Sequence, residues 1–208
     1  MRQDILSAVK DGVRAIEELK KDASLQFIQS CAELISECYL RGGKLLIAGN
    51  GGSLCDAMHF AEEMTGQFRN PRMALAAVAL SDPGHLSCTA NDMGFDKVFS
   101  RGVEALGKPG DIFIALTTSG NSENLIRAVE VAKERGLKTI LFLGKTGGKM
   151  KKMGDLEWIV PGFSTSDRIQ EAHMTAIHII IEMVEKRLFS SKEIIKKLQT
   201  LHEIQYAH

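Results

Sequence analysis

The stretch Leu45-Leu-Ile-Ala-Gly-Asn-Gly-Gly-Ser-Leu-Cys-Asp-Ala-Met-His-Phe-Ala-Glu-Glu-Met-Thr-Gly66 begins with an apolar run. It breaks at Gly49-Asn50-Gly51-Gly52-Ser53 and continues as a helix-length segment without Gly or Pro. Strand, glycine turn and helix in that order form a phosphate-binding first crossover in an α/β sheet. The glycines reach torsions that a Cβ resists and let a ligand approach the main chain. Ser53 is the expected N-cap, with the first N–H groups of the helix turned toward an anion. His59 and Glu63 stand four apart on the same helix, which puts an imidazole and a carboxylate on one face.

Outward from this stretch the pattern repeats. Lys44–Ala48, Ala74–Leu80, Ile112–Leu116, Thr139–Leu143 and Leu156–Val160 read as strands, with helical segments between them. The strands are continuously apolar rather than alternating, as in a parallel sheet covered on both faces. Right-handed crossovers then give an α/β, doubly wound, five-stranded parallel sheet. Asn91-Asp92-Met93-Gly94 reads as a polar turn, and 95–106 as helix. Upstream, Ile5, Val9, Val13 and Ile16 form one apolar stripe, and Leu25, Ile28, Ala32, Ile35 and Tyr39 form a second, ended by Gly42-Gly43. These two helices need a surface, either the sheet or another subunit. Ser166–Leu188 reads as one long helix. Ser190-Ser191-Lys192-Glu193 offers a capping box for a last helix over 192–206. The chain therefore divides into N-terminal helices (1–43, for packing or oligomerisation), a ligand-binding sheet domain (44–188) and a helical tail (189–208).

With 26 basic and 26 acidic residues the formal net charge is zero, which argues against a dedicated nucleic-acid binder. No apolar run is long enough to span a bilayer and no cleavable leader is evident, so no membrane association and a cytoplasmic location are expected. Cys31, Cys38, Cys55 and Cys88 show no CxxC pairing and are expected as buried, reduced thiols.

The second turn at a strand's carboxyl end is Thr117-Thr118-Ser119-Gly120-Asn121-Ser122. Hydroxyls at a helix N-terminus are what a phosphate needs where cations are few. Ser and Thr also cap helices and form turns without any ligand. Two such turns on one edge of one sheet favour a ligand. On the final helix Gln170, Met174 and His178 share a slowly drifting stripe, with Glu171 and His173 on neighbouring faces. Two imidazoles and a carboxylate suit Zn²⁺ or another borderline divalent ion. A His/Glu pair at this spacing can equally be a local surface pair, and a histidine among isoleucines a satisfied core residue.

Taken together, Gly49-Asn-Gly-Gly-Ser53, Asp56-Ala-Met-His-Phe-Ala-Glu-Glu63, Ser81-Asp82, Asn91-Asp92, Thr118-Ser-Gly-Asn-Ser122, Gly144-Lys145, Gly147-Gly148-Lys149 and Asp167-Arg-Ile-Gln-Glu171 with His178 resemble the bacterial phosphoheptose isomerases of the sugar isomerase (SIS) fold. The resemblance runs to about residue 188. It implies conversion of sedoheptulose 7-phosphate to D-glycero-D-manno-heptose 7-phosphate, the first step toward the ADP-heptose of lipopolysaccharide core. It also implies a homotetramer with one zinc per subunit. The implied metal ligands are His59, Glu63, Gln170 and His178. The implied substrate contacts are Asn50, Gly51, Gly52, Ser53, Glu63, Asn91, Asp92, Thr117, Thr118, Ser119, Ser122 and Gln170. Thr117 stands where relatives commonly carry Ser, and the tail from about Ser190 runs past the usual end of the family.

For an aldose–ketose isomerisation through an enediol, Glu63 is the expected base at carbon and His178 the opposing acid/base. The rival reading is a non-catalytic SIS sugar-phosphate-binding regulator or replication-initiation adaptor. Such relatives keep the phosphate turns and lose the metal and acid–base set.

Overall fold

A computed structural model gives the structure over residues 1–206. Two helices, α1 (Arg2–Glu17) and α2 (Asp22–Tyr39), lead into β1 (Leu45–Gly49) and α3 (Gly52–Thr65). Then follow β2 (Ala77–Ala79), α4 (Pro83–Met93), α5 (Val98–Leu106), β3 (Ile112–Thr117), α6 (Glu123–Glu134) and β4 (Lys138–Gly144). The chain closes with β5 (Leu156–Val160), α7 (Ser166–Phe189) and α8 (Lys192–Tyr206).

The five strands form one parallel sheet in the order β2-β1-β3-β4-β5, with Leu45 beside Ala77 on one side and Ile112 on the other. Both faces are covered, which is why the strands are apolar at most positions, with Lys138 at the start of β4 and Glu157 on the edge strand β5 as the charged exceptions. Leu45, Ile47, Ile112, Ile114, Leu116, Ile140 and Phe142 pack under α2, α3 and α7. Leu46, Ala48, Phe113, Ala115, Leu141 and Leu143 pack under α5 and α6. The first crossover thus covers one face and the β3–β4 crossover the other, which opens a crevice between the carboxyl ends of β1 and β3. Ligands of open α/β sheets bind at this switch point.

Several local expectations change. Helix α3 starts at Gly52 with Gly51 as N-cap, at φ 56 and ψ −125, so Ser53 is not the cap. Gly51 accepts the amides of Leu54 and Cys55 in a conformation that a Cβ disfavours, and Ser53 is left buried in the first turn. The second strand shrinks from 74–80 to three residues. The Leu75 N–H bonds the Met64 carbonyl and the Ala76 carbonyl accepts Tyr39 Oη–H, so the chain joins the sheet late. Asn91–Met93 is the last turn of α4, not a free turn, and Gly94 (φ 100) ends the helix. Leu25 lies off the buried stripe of α2, where Phe27 takes its place against Phe142 and Trp158. The Trp158 indole donates to Ser24 Oγ at 2.9 Å and so fixes α2 over β5. All four cysteines are free, but only Cys31 and Cys38 are buried; Cys55 and Cys88 are exposed.

Helix α1 packs on α7 with one side and leaves Ile5, Val9, Val13 and Ile16 uncovered. Leu198 anchors α8 in the core beneath the α7 face. At the amino edge of the sheet the Asp111 carboxylate accepts the amides of Lys44 and Lys108 and pairs with the Lys44 ammonium, a buried staple far from the crevice.

Candidate active site

The two ligand-facing turns are tied together by a residue with no conspicuous motif. Asn50 Nδ2 donates to Asn124 Oδ1 at 3.0 Å, and Asn124 Nδ2 donates back to Asn50 Oδ1 at 2.9 Å. Asn124 is 3% exposed on the first turn of α6, so the amide pair closes the floor of the crevice from the α6 side. The Asn50 side chain is engaged in this brace.

The hydroxyl turn is internally braced as well. Thr117 Oγ1 is buried and accepts the Gly120 N–H, and Ser119 Oγ accepts the Asn121 N–H. Thr118 Oγ1 shares a 3.0 Å hydrogen bond with Ser166 Oγ at the start of α7. Ser122 is the N-cap residue of α6, and its side chain makes no capping bond. Behind the turn stands the Gly147–Lys149 segment. The Lys149 N–H bonds Asn121 Oδ1 at 3.0 Å, and a Cβ at Gly120 would run into the Gly147 carbonyl. Thr118, Ser119 and Ser122 remain half-buried at the mouth of the crevice.

On the other side α3 and α7 run side by side in the same direction. His59 Nε2 lies 2.9 Å from His178 Nε2 and 3.6 Å from Glu63 Oε1, and Glu62 holds His59 Nδ1 at 3.1 Å. One donor atom from each of His59, Glu63 and His178 falls within 4.8 Å of the others. A donor set of two imidazoles and a carboxylate fits a borderline divalent cation. Two nitrogens bound to one tetrahedral ion at about 2.0–2.1 Å each stand roughly 3.3 Å apart, so a small separation of the rings admits one. Burial, then the neighbouring His59 and Arg69 charges, depress the His178 pKa, while Glu63 opposes them. Phe68 stacks on His178 with centroids 5.9 Å apart, and Arg69 lies over Phe68 while pairing with Glu182 at 2.8 Å. Burial lifts Asp56, one turn before His59, to about 6 against the opposing His59 charge, and its Oδ2 has no hydrogen-bond partner.

The remaining expected residues fall in other places. Gln170 rests its amide on Gly52, where a Cβ would come within 2.5 Å of Nε2. It stands two turns of α7 before His178, about 12 Å along the helix. Asn91 and Asp92 are exposed at the end of α4, and bond each other and Cys88. His173 is a core residue: it hydrogen-bonds the Leu143 carbonyl at 3.0 Å, and burial pulls it down to about 4. Asn124, Phe68, Arg69, Arg72 and Glu185 escape a motif-based reading. The signal for Asn124 is a polar residue on the buried face of α6, beside Leu125, Ala128 and Val129.

A crevice at the β1/β3 switch point, flanked by two hydroxyl- and glycine-rich turns, defines a phosphosugar-binding SIS domain. The SIS domain family model matches residues 8–144, and the chain belongs to that family. Within it, the chain is 50% identical over 190 residues to a phosphoheptose isomerase of Pectobacterium atrosepticum, covering 90% of this chain and 98% of the relative. It is 56% identical over 161 residues to one of Fusobacterium nucleatum, covering 77% of this chain and 82% of the relative. The solved phosphoheptose isomerase of Neisseria gonorrhoeae superposes with a TM-score of 0.82 at 40% identity, over 89% of this chain and 98% of that one. The chain is thus a member of the phosphoheptose isomerases.

Proposed function

We infer that the protein is an aldose–ketose isomerase that converts sedoheptulose 7-phosphate to D-glycero-D-manno-heptose 7-phosphate in heptose synthesis. The observation that carries this reading is the meeting of His59 and Glu63 on α3 with His178 on α7, beside a hydroxyl-lined anion turn. A sugar-phosphate regulator has no use for that cluster, so the non-catalytic alternative is not favoured.

The phosphate sits at the Thr117–Ser122 turn and the N-terminus of α6, held by Thr118, Ser119, Ser122 and main-chain N–H groups. Gly51, Gly52, Ser53, Gln170, Asn91 and Asp92 line the path of the sugar chain. Anchoring a phosphate remote from the reacting carbons orients the substrate without direct chemistry. Glu63 removes the proton from C1 of the ketose and returns one to C2. His178, its pKa depressed chiefly by burial, is the opposing acid/base that moves the proton between the two oxygens, a duty that competes with holding a cation. No atom is gained or lost between ketose, enediol and aldose.

His59, Glu63, Gln170 and His178 would hold one Zn²⁺ per subunit, with the Gln170 amide the weakest of the four donors. A bound Zn²⁺ supplies Lewis-acid polarisation of the carbonyl. The two duties of Glu63 compete, because a carboxylate that shares a cation is a weaker base. Glu63→Gln tests the assignment: turnover of sedoheptulose 7-phosphate is lost, while phosphate binding measured by calorimetry stays near wild type. Retained turnover refutes it.

The uncovered α1 stripe supports a self-assembled enzyme, read here as a homotetramer. Ile5 and Val9 are each 57% exposed and lie in line with Val13 and Ile16, a row suited to a second copy of the same helix. No described helix is long and apolar enough to cross a membrane.

A further inference from the structure

Arg72 lies in the connection between α3 and β2, away from every motif, yet its side chain is only 2% exposed. All three nitrogens of its guanidinium are engaged. Nη2 donates to the Glu63 carbonyl at 2.7 Å. Nη1 donates to the Met64 and Met73 carbonyls, both at 3.0 Å, and reaches the Gly66 carbonyl at 3.5 Å. Nε donates to Glu185 Oε1 at 2.6 Å, and Glu185 is itself 7% exposed.

The placement of these contacts gives them meaning. Glu63 and Met64 belong to the last turns of α3, whose terminal carbonyls have no partner within the helix, and a cation there also suits the helix dipole. Glu185 stands on α7, seven residues beyond His178 and so on the same side of the helix after about two turns. The planar fork of Arg72 therefore bolts the end of the helix bearing His59 and Glu63 onto the helix bearing His178. A lysine could hold Glu185 but could not span the carbonyls as well.

We propose that Arg72 and Glu185 are positioning residues that fix the spacing of α3 and α7, and through it the 2.9 Å approach of His59 to His178 and the metal affinity of the cluster. The inference rests on the metal-binding reading above for its consequence, but not for its geometry. A purely structural pair would lower the melting temperature and leave the properties of the folded site alone.

The test uses the full chain as Arg72→Lys, Glu185→Gln and the double variant Arg72→Met/Glu185→Leu, which fills the space without stranding a charge. Asp111→Asn is the control, since it breaks a buried ion pair at the opposite edge of the sheet. Zn²⁺ alone is titrated into each protein, and the variants are crystallised. Expected is a metal dissociation constant raised about 10–100-fold, the range typical of residues that support metal ligands. Turnover falls, KM for sedoheptulose 7-phosphate is little changed, and the His59–His178 separation is visibly altered. The control loses melting temperature only. Wild-type Zn²⁺ affinity and wild-type ring spacing in the folded variants overturn the proposal, and so does an equal affinity loss in Asp111→Asn. A wild-type protein that takes up no divalent metal sinks the metal reading instead. The ring spacing in the variant crystals then decides the clamp by itself.

Discussion

Asn124→Ala removes both halves of the amide pair that joins the two turns at the crevice. Two neutral hydrogen bonds of 2.9 and 3.0 Å disappear, worth about 1 kcal/mol each. The Asn50 amide loses both partners, but it is half-buried and recovers some water, so its own penalty falls at the low end, about 1 kcal/mol. The sum is about 3 kcal/mol. For a chain of this size each kcal/mol shifts the melting temperature by roughly 2–4 °C, so a fall of about 6–12 °C is expected in calorimetry. Because the pair locks the start of α6 to the β1 turn, KM for the sugar phosphate should rise while bound substrate still turns over. Asn124→Asp separates stability from binding. The carboxylate still accepts from Asn50 and suits the first turn of a helix, which restores part of the melting temperature. It also sets a negative charge beside the anion turn, so KM should rise further. A melting temperature within about 2 °C of wild type for Asn124→Ala, with KM unchanged, would refute the brace.

Gly52→Ala should leave the fold as stable as before or slightly better, because Ala restrains the unfolded chain. Its methyl would displace the Gln170 amide, which now sits 2.5 Å from that position, and steady-state kinetics should show turnover down about 10–100-fold. His173, held near 4, binds its proton more readily in the unfolded chain. Its stabilising neutral state is therefore fully effective above about pH 6.5 and is lost as pH falls toward 4, by on the order of 3 kcal/mol. Asp56, raised to about 6, has the opposite sign below that pH, since the folded chain takes up its proton. Urea midpoints at pH 7, 5.5 and 4.5 should thus decline gently in the wild type and steeply in Asp56→Asn. Val9→Glu should leave the isolated subunit folded, since Val9 is already exposed, and light scattering should report loss of assembly.

The fold was legible because both faces of the sheet are buried. A strand such as Ile112–Thr117, buried throughout and apolar at every position but its last, has few alternatives to a central parallel strand. Errors fell where tertiary contacts outrank local preference. Ser53 is the better cap by composition, but Gly51 occupies a conformation that favours glycine and so takes the cap position. Leu75 belongs to an apolar run and still leaves the sheet to satisfy a helix carbonyl. The site divides in the same way. His59 and Glu63 were readable because their relation is local, one helical turn. Their meeting with His178 across 119 residues follows from the register of α3 against α7, and that register is set by side chains without a motif. Gly52 admits Gln170 at the start of the pair, and Arg72 with Glu185 closes its end. Chemistry in this protein is written in recognisable residue types, whereas the distances that make it work are written in buried polar contacts between helices. A sequence reading can list the first, but the second emerges only when two distant segments are laid side by side.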